Sequence, residues 1–73
     1  MKVVEALVRE IELIGTTPSA ELENILVRYR SESESLEAKN LSKFLFKLIL
    51  ACRREDEDTI VQSIRDLRLS IHD

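Results

Sequence analysis

Apolar residues recur along this chain in four blocks with helical spacing. In the first, Val4, Leu7, Val8, Ile11 and Ile14 fall at i, i+3, i+4 and i+7. Lys2, Glu5, Arg9 and Glu12 take the other side. This predicts a helix over about 2–14, closed by Gly15, a residue that enters the left-handed conformation without a steric penalty. In the second block Leu22, Ile25, Leu26 and Tyr29 make the buried stripe of a helix over about 18–30. Thr17 is its expected N-cap and Pro18 its first residue, where the missing N–H is no loss. Glu21 and Glu23 suit its positive end, and Arg28 and Arg30 its negative end. The polar run from Arg30 to Ser35 has no apolar period and reads as a loop, with Ser35 capping the next helix.

The third block, about 36–53, is the most apolar. Leu41, Phe44, Leu45, Leu48 and Cys52 make one face, and Phe46, Ile49 and Leu50 lie off it. A helix apolar around most of its circumference is covered on several sides. That places it either at the centre of the bundle or at an interface between two copies. Seven residues without an apolar side chain follow, Arg53 to Thr59. The arginines suit a helix end and the acids a helix start, so a break capped by Asp56 is expected. The alternative is one continuous helix held by Arg53–Glu57 and Arg54–Asp58 pairs at i, i+4. The fourth helix, about 57–71, carries Ile60, Ile64, Leu67 and Ile71 on its core side, with Val61 flanking. His72 and Asp73 are expected to fray. Strand signals are absent: there is no Asn-Gly or Asp-Gly turn and no sustained alternation. The expectation is an all-α fold, a small antiparallel bundle of four short helices in one domain, 1–73.

Composition sharpens this in two ways. Seventy-three residues permit one domain, and so small a core needs disulfides, a metal, association or efficient packing. One Cys allows no intrachain disulfide, and one Cys with one His cannot complete a tetrahedral zinc site. No cofactor is implied by any motif. Packing or association therefore has to stabilise the chain. The longest apolar run, Leu48 to Cys52, is too short for a membrane span, and Glu5 arrives too early for a signal peptide, so the cytoplasm is the expected compartment. The net charge of −3 argues against a strong nucleic-acid binder.

Candidate chemistry is sparse. Cys52 and His72 could form a nucleophile and base only if they met in space. On an apolar face Cys52 reads as a small hydrophobe instead. Glu55 to Asp58 could attract a hard cation, but no calcium-loop spacing accompanies them, and helix capping explains them. Arg28-Tyr29-Arg30 could stack and pair with an anion, but reads as a core-edge tyrosine beside two arginines at a helix end. Lys39, Lys43, Lys47 and Arg54 recur at helical spacing and form a strip for an acidic protein surface or a phosphate backbone. The off-face residues Phe46, Ile49 and Leu50 are the expected interface anchors, with Lys43 and Lys47 at the rim.

The second half of the chain resembles the small enterobacterial connector proteins of the AriR/YmgB type. The residues that carry it are Lys39-Asn40-Leu41, then Leu45, Lys47 and Leu48, the acidic break, and Ile64 to Leu69. The resemblance implies a short all-α homodimer that works by contact with two-component signalling proteins. A looser similarity is to bacteriocin immunity proteins, also small helical bundles. The functional expectation is a non-enzymatic bacterial or phage interaction module. Its partner is a second copy or a larger protein, and the alternative is a dimeric nucleic-acid-binding regulator that uses the basic strip.

Overall fold

Leu7, Val8 and Ile11 share one face of the first helix and are buried, which is the pattern their spacing dictates. The computed structural model describes residues 2–72, and side-chain surroundings for residues 2–70. Its elements are α1 (Lys2–Ile14), α2 (Ala20–Ser35), α3 (Lys39–Arg53) and α4 (Glu57–His72). No strand occurs among the described residues, so the chain is an all-α bundle of four short helices. The side chain of Ile71, expected in the core, lies outside the described set, as do the His72 side chain and Asp73.

The helix ends follow local chemistry, in part at other residues than the sequence pattern predicts. Gly15 closes α1 at φ 91°, and its N–H donates to the Ile11 carbonyl at 2.7 Å. Ser19, not Thr17, caps α2: its backbone is extended, and its Oγ accepts from the Leu22 N–H at 3.1 Å. Pro18 therefore precedes the helix rather than opening it. The predicted loop from Ser31 to Ser35 is helical. The buried stripe of α2 continues through it as Leu22, Leu26, Tyr29 and Ser33. Ser33 is fully buried and satisfies its hydroxyl on the Arg30 carbonyl at 2.7 Å. Ser35 accordingly caps nothing. The residue before α3 is Ala38, which makes no side-chain cap.

Two turns share one design. After α2, the Glu37 N–H donates to the Glu34 carbonyl and the Ala38 N–H to the Ser33 carbonyl, at 3.1 and 2.8 Å. After α3, Glu55 donates to Cys52 and Asp56 to Ala51, at 3.1 and 2.9 Å. Both are Schellman closures with a left-handed residue at the pivot, and in both that residue is glutamate: Glu37 at φ 59° and Glu55 at φ 57°. The second turn settles the question of continuity in favour of a break. Asp56 caps α4, with one oxygen accepting from the Thr59 N–H at 3.2 Å and the other from the Thr59 hydroxyl at 2.6 Å.

The helices form a ring in chain order. α2 packs most extensively on α3, and α3·α4, α1·α2 and α1·α4 complete the circuit. Among the described residues the diagonal pairs α1·α3 and α2·α4 make no close backbone approach. α3 is therefore one corner of a four-helix ring and not a hub surrounded by the other three. Each corner sends residues into the shared core, among them Leu7 and Ile11, Leu22 and Leu26, Leu45 and Leu48, Ile60 and Ile64. Burying such a side chain is worth roughly 2 kcal/mol. Exposed ion pairs bridge three of the four seams: Glu10–Arg28 at 2.8 Å, Glu23–Arg53 at 3.1 Å and Glu12–Arg68 at 2.8 Å. Pairs this exposed orient neighbouring helices more than they stabilise them. Among the described residues no helix is long and apolar enough to cross a membrane.

Candidate functional site: the outward face of α3

The ring leaves α3 with one side toward α2, one toward α4, one toward the core and one outward. Helical periodicity sorts its residues among these. Leu45, Leu48 and Cys52 enter the core, and Phe44 and Leu41 pack at its margin. Lys39, Lys43 and Lys47, with Arg54 just past the helix end, are all exposed, and none of the four forms an ion pair among the described residues. The predicted basic strip is thus one continuous outward surface. In space Glu34 and Glu37 share a concavity with Lys39 and Lys43 at its start, but along the sequence its charge is segregated. Residues 39–54 contain five Lys or Arg and no acid, whereas the rest of the chain holds fourteen acids against six cations.

The apolar anchors divide. Phe46 is 43% exposed and stands beside the strip, and Leu50 is half-buried one turn further on. Ile49 is only 3% exposed and belongs to the core cluster, so it offers no anchor to a partner. Its burial follows from the close α2·α3 seam, onto which it projects. The same seam adds two residues that the sequence reading assigned elsewhere or passed over. The Arg30 guanidinium carbon lies 4.6 Å from the centroid of the Phe46 ring, a cation–π arrangement that fixes the ring from the α2 side. Arg30 Nε is buried there without a hydrogen-bond partner, while the outer end of the guanidinium reaches Glu34 at 3.6 Å. Val27, 46% exposed, lines the same shallow concavity as Phe46 and Arg30. The sequence signal for both was i, i+3 spacing on the flank of the α2 stripe, masked by the expectation that α2 ended at Arg30.

Arg28 and Tyr29 serve a different seam. Because α2 continues to Ser35, Arg28 sits mid-helix, and its guanidinium donates to both Glu10 carboxylate oxygens at 2.9 and 2.8 Å. Tyr29 is 8% exposed and belongs to the core cluster. Burial and the neighbouring Glu10 carboxylate push its hydroxyl pKa up. The Tyr29 hydroxyl and the Arg28 guanidinium hold the Glu10 carboxyl below its ordinary value. Beside this group Leu13, 81% exposed, shares a concavity with Ile14, Ile25 and Glu21.

The remaining candidates have structural employment. Cys52 is buried, with its Sγ 3.5 Å from the Ser19 carbonyl oxygen. Of the acidic run, Glu55 forms the left-handed pivot and Asp56 the cap, and the Glu57 carboxylate accepts from the Thr16 and Thr17 hydroxyls at 3.4 Å. Thr59 holds the Asp56 carboxyl below its ordinary value through its hydroxyl and its N–H, with Arg54 adding to the effect. Among the described residues no group of three or more His, Cys, Asp or Glu is placed to hold a metal ion. Comparison of the sequence with protein-family models, with curated proteins and with solved structures finds no match.

Proposed function

We propose that this chain is a non-enzymatic interaction module that docks the outward face of α3 on an acidic, partly apolar surface of a protein partner, a second copy or a larger protein. The observation that carries the reading is the segregation of charge. Lys39, Lys43, Lys47 and Arg54 lie on or beside one face, in a stretch that contains no acid, and form no ion pair among the described residues, on a chain whose net charge is −3. Phe46 and Leu50 supply apolar contact within that field, and Lys43 and Lys47 supply its rim. Such an arrangement steers a negatively charged partner and sets its orientation, while the apolar centre supplies residence. The resemblance to AriR/YmgB-type connectors agrees with a regulatory role of this kind, in the bacterial cytoplasm, where an unpaired cysteine is at home.

A second reading uses the same strip on nucleic acid, favoured by the i, i+4 repeat of Lys39, Lys43 and Lys47. Salt separates the two. Four phosphate contacts give a log–log slope of about −3.6 on duplex DNA, and a rim-charged protein contact a much shallower one. The direct experiment compares what the immobilised chain and its Lys43→Glu/Lys47→Glu variant retain from native-host extract. The expected result is a protein retained by the first and lost from the second, without enrichment of DNA or RNA. Identical retention by both would overturn the reading, and enriched nucleic acid with the steep slope would establish the second.

A further inference from the structure

The basic face of α3 has a complement on the same molecule. On the outer side of the α1–α2 seam, Leu13, Ile14 and Ile25 line one concavity with Glu10, Glu21 and Arg28. Leu13 is 81% exposed, the most exposed large apolar side chain described, and Ile14 and Ile25 are half-buried beneath it. A lone exposed leucine is unremarkable, but three apolar side chains sharing a hollow are an association surface in miniature. Its charge is opposite to that of α3. Arg28 is already neutralised by both oxygens of Glu10, and Glu21 is in no ion pair among the described residues. Over the whole of residues 2–35, seven acids stand against four cations.

From this pairing we infer that the partner of the α3 face is a second copy of the chain, bound head to tail: α3 of one copy lies on the α1–α2 hollow of the next. Phe46 and Leu50 meet Leu13 and Ile25, and Lys43 and Lys47 face Glu21, the one carboxylate of the hollow that forms no ion pair among the described residues. The symmetric alternatives are opposed by charge. α3 against α3 sets Lys43 and Lys47 against their own copies, and hollow against hollow sets Glu21 against its own copy; like charges across an interface disfavour both. A head-to-tail contact uses two different patches, so it leaves one of each free at the ends and grows unless its rotation closes a ring. The inference rests on the docking role proposed for α3 and adds the identity of the partner.

Sedimentation velocity tests it with two variants whose altered side chains are exposed, so that circular dichroism should show unchanged helix. Leu13→Gln removes the anchor of the hollow, and Lys43→Glu/Lys47→Glu reverses the α3 rim. The unaltered chain should rise in weight-average mass with concentration, passing twice 8.4 kDa unless a ring closes, and should fall back in higher salt. Each variant alone should associate at least tenfold more weakly. An equimolar mixture should recover one good interface and form a 1:1 complex and nothing larger, because the intact α3 face of the first variant meets the intact hollow of the second. A chain that remains at 8.4 kDa at all concentrations overturns the inference while leaving the docking role open to the capture experiment. So does a mixture that associates no better than its components.

Discussion

Glu37 and Glu55 occupy a backbone conformation that crowds the β-carbon of an L-residue against its own carbonyl, at a cost of roughly 1–2 kcal/mol. Each is the pivot of a Schellman turn, where glycine is the usual occupant. Glycine would remove the crowding but give back about 0.5–1 kcal/mol through the larger freedom of the unfolded chain. Glu37→Gly and Glu55→Gly should therefore each stabilise the fold by about 0.5–1 kcal/mol, read as a rise of the urea midpoint or of a few degrees in Tm. The two turns lie at opposite ends of the 15-residue α3, about 22 Å apart, so the gains should add. Gly15 supplies the converse: nothing lies within 4 Å of the β-carbon it lacks, so any loss in Gly15→Ala comes from its φ of 91° alone. A double Glu→Gly variant no more stable than the parent would show that the carboxylates contribute something the geometry does not record. These residues also mark a limit of sequence reading. Gly15 announced its turn because glycine is the residue that turn favours. Glutamate is a good helix former, so Glu37 left no signal, and Glu55 was legible only through the charge reversal around it.

At the scale of the element, α1 and α4 were legible from apolar period alone, because each shows the core a single stripe. α2 departs from its apolar pattern at both ends for one reason, that small polar residues have structural roles there. Ser19 caps where Thr17 also could, and Ser33 occupies a fully buried position where the pattern calls for an apolar side chain. A serine can hold such a position because its hydroxyl returns to the i−3 carbonyl of Arg30. The expected consequence is slow amide exchange through the Ser-Glu segment. Ser33, Glu34 and Ser35 donate within α2, and the Ala38 N–H is held by the Ser33 carbonyl at 2.8 Å, so their protection should approach that of Leu26 and Tyr29. Exchange of residues 31–35 at the rate of an open loop would return this segment to the state its composition predicts. The surplus of apolar residues on α3 has an equally local cause. Its long contact with α2 takes Ile49 and steadies Phe46, and its contact with α4 accounts for the other side, so three sectors are covered without α3 standing at the centre.

At the scale of the whole molecule, the charge division between residues 39–54 and the remainder could be read directly from the sequence, and with it the basic strip. Which apolar residues accompany that strip could not, because it depends on where the ring closes: Phe46 and Ile49 are three residues apart, and only the α2 seam decides that one is exposed and the other buried. The Leu13 hollow was illegible for the same reason, since Ile25 reaches it from another helix. Charge also sets how the assembled fold responds to pH. Glu10 and Asp56 titrate below their ordinary values in the folded chain, so they bind protons more weakly there than in the unfolded chain. Their contribution is complete above the ordinary carboxylate range, about pH 4, and is lost as pH falls through the lowered values. Tyr29 is shifted the other way, and its contribution is complete below about pH 10 and declines above it, where the unfolded chain releases the proton first. The two limbs share a residue, because the Tyr29 hydroxyl is the foremost cause of the lowered Glu10 value. Tyr29→Phe should therefore flatten both limbs of the urea midpoint plotted against pH. Asp56→Asn should flatten the acid limb alone, because the amide oxygen can still cap Thr59 but does not titrate. If Tyr29→Phe altered the alkaline limb only, the coupling between its hydroxyl and the Glu10 carboxylate across the α1–α2 seam would be refuted.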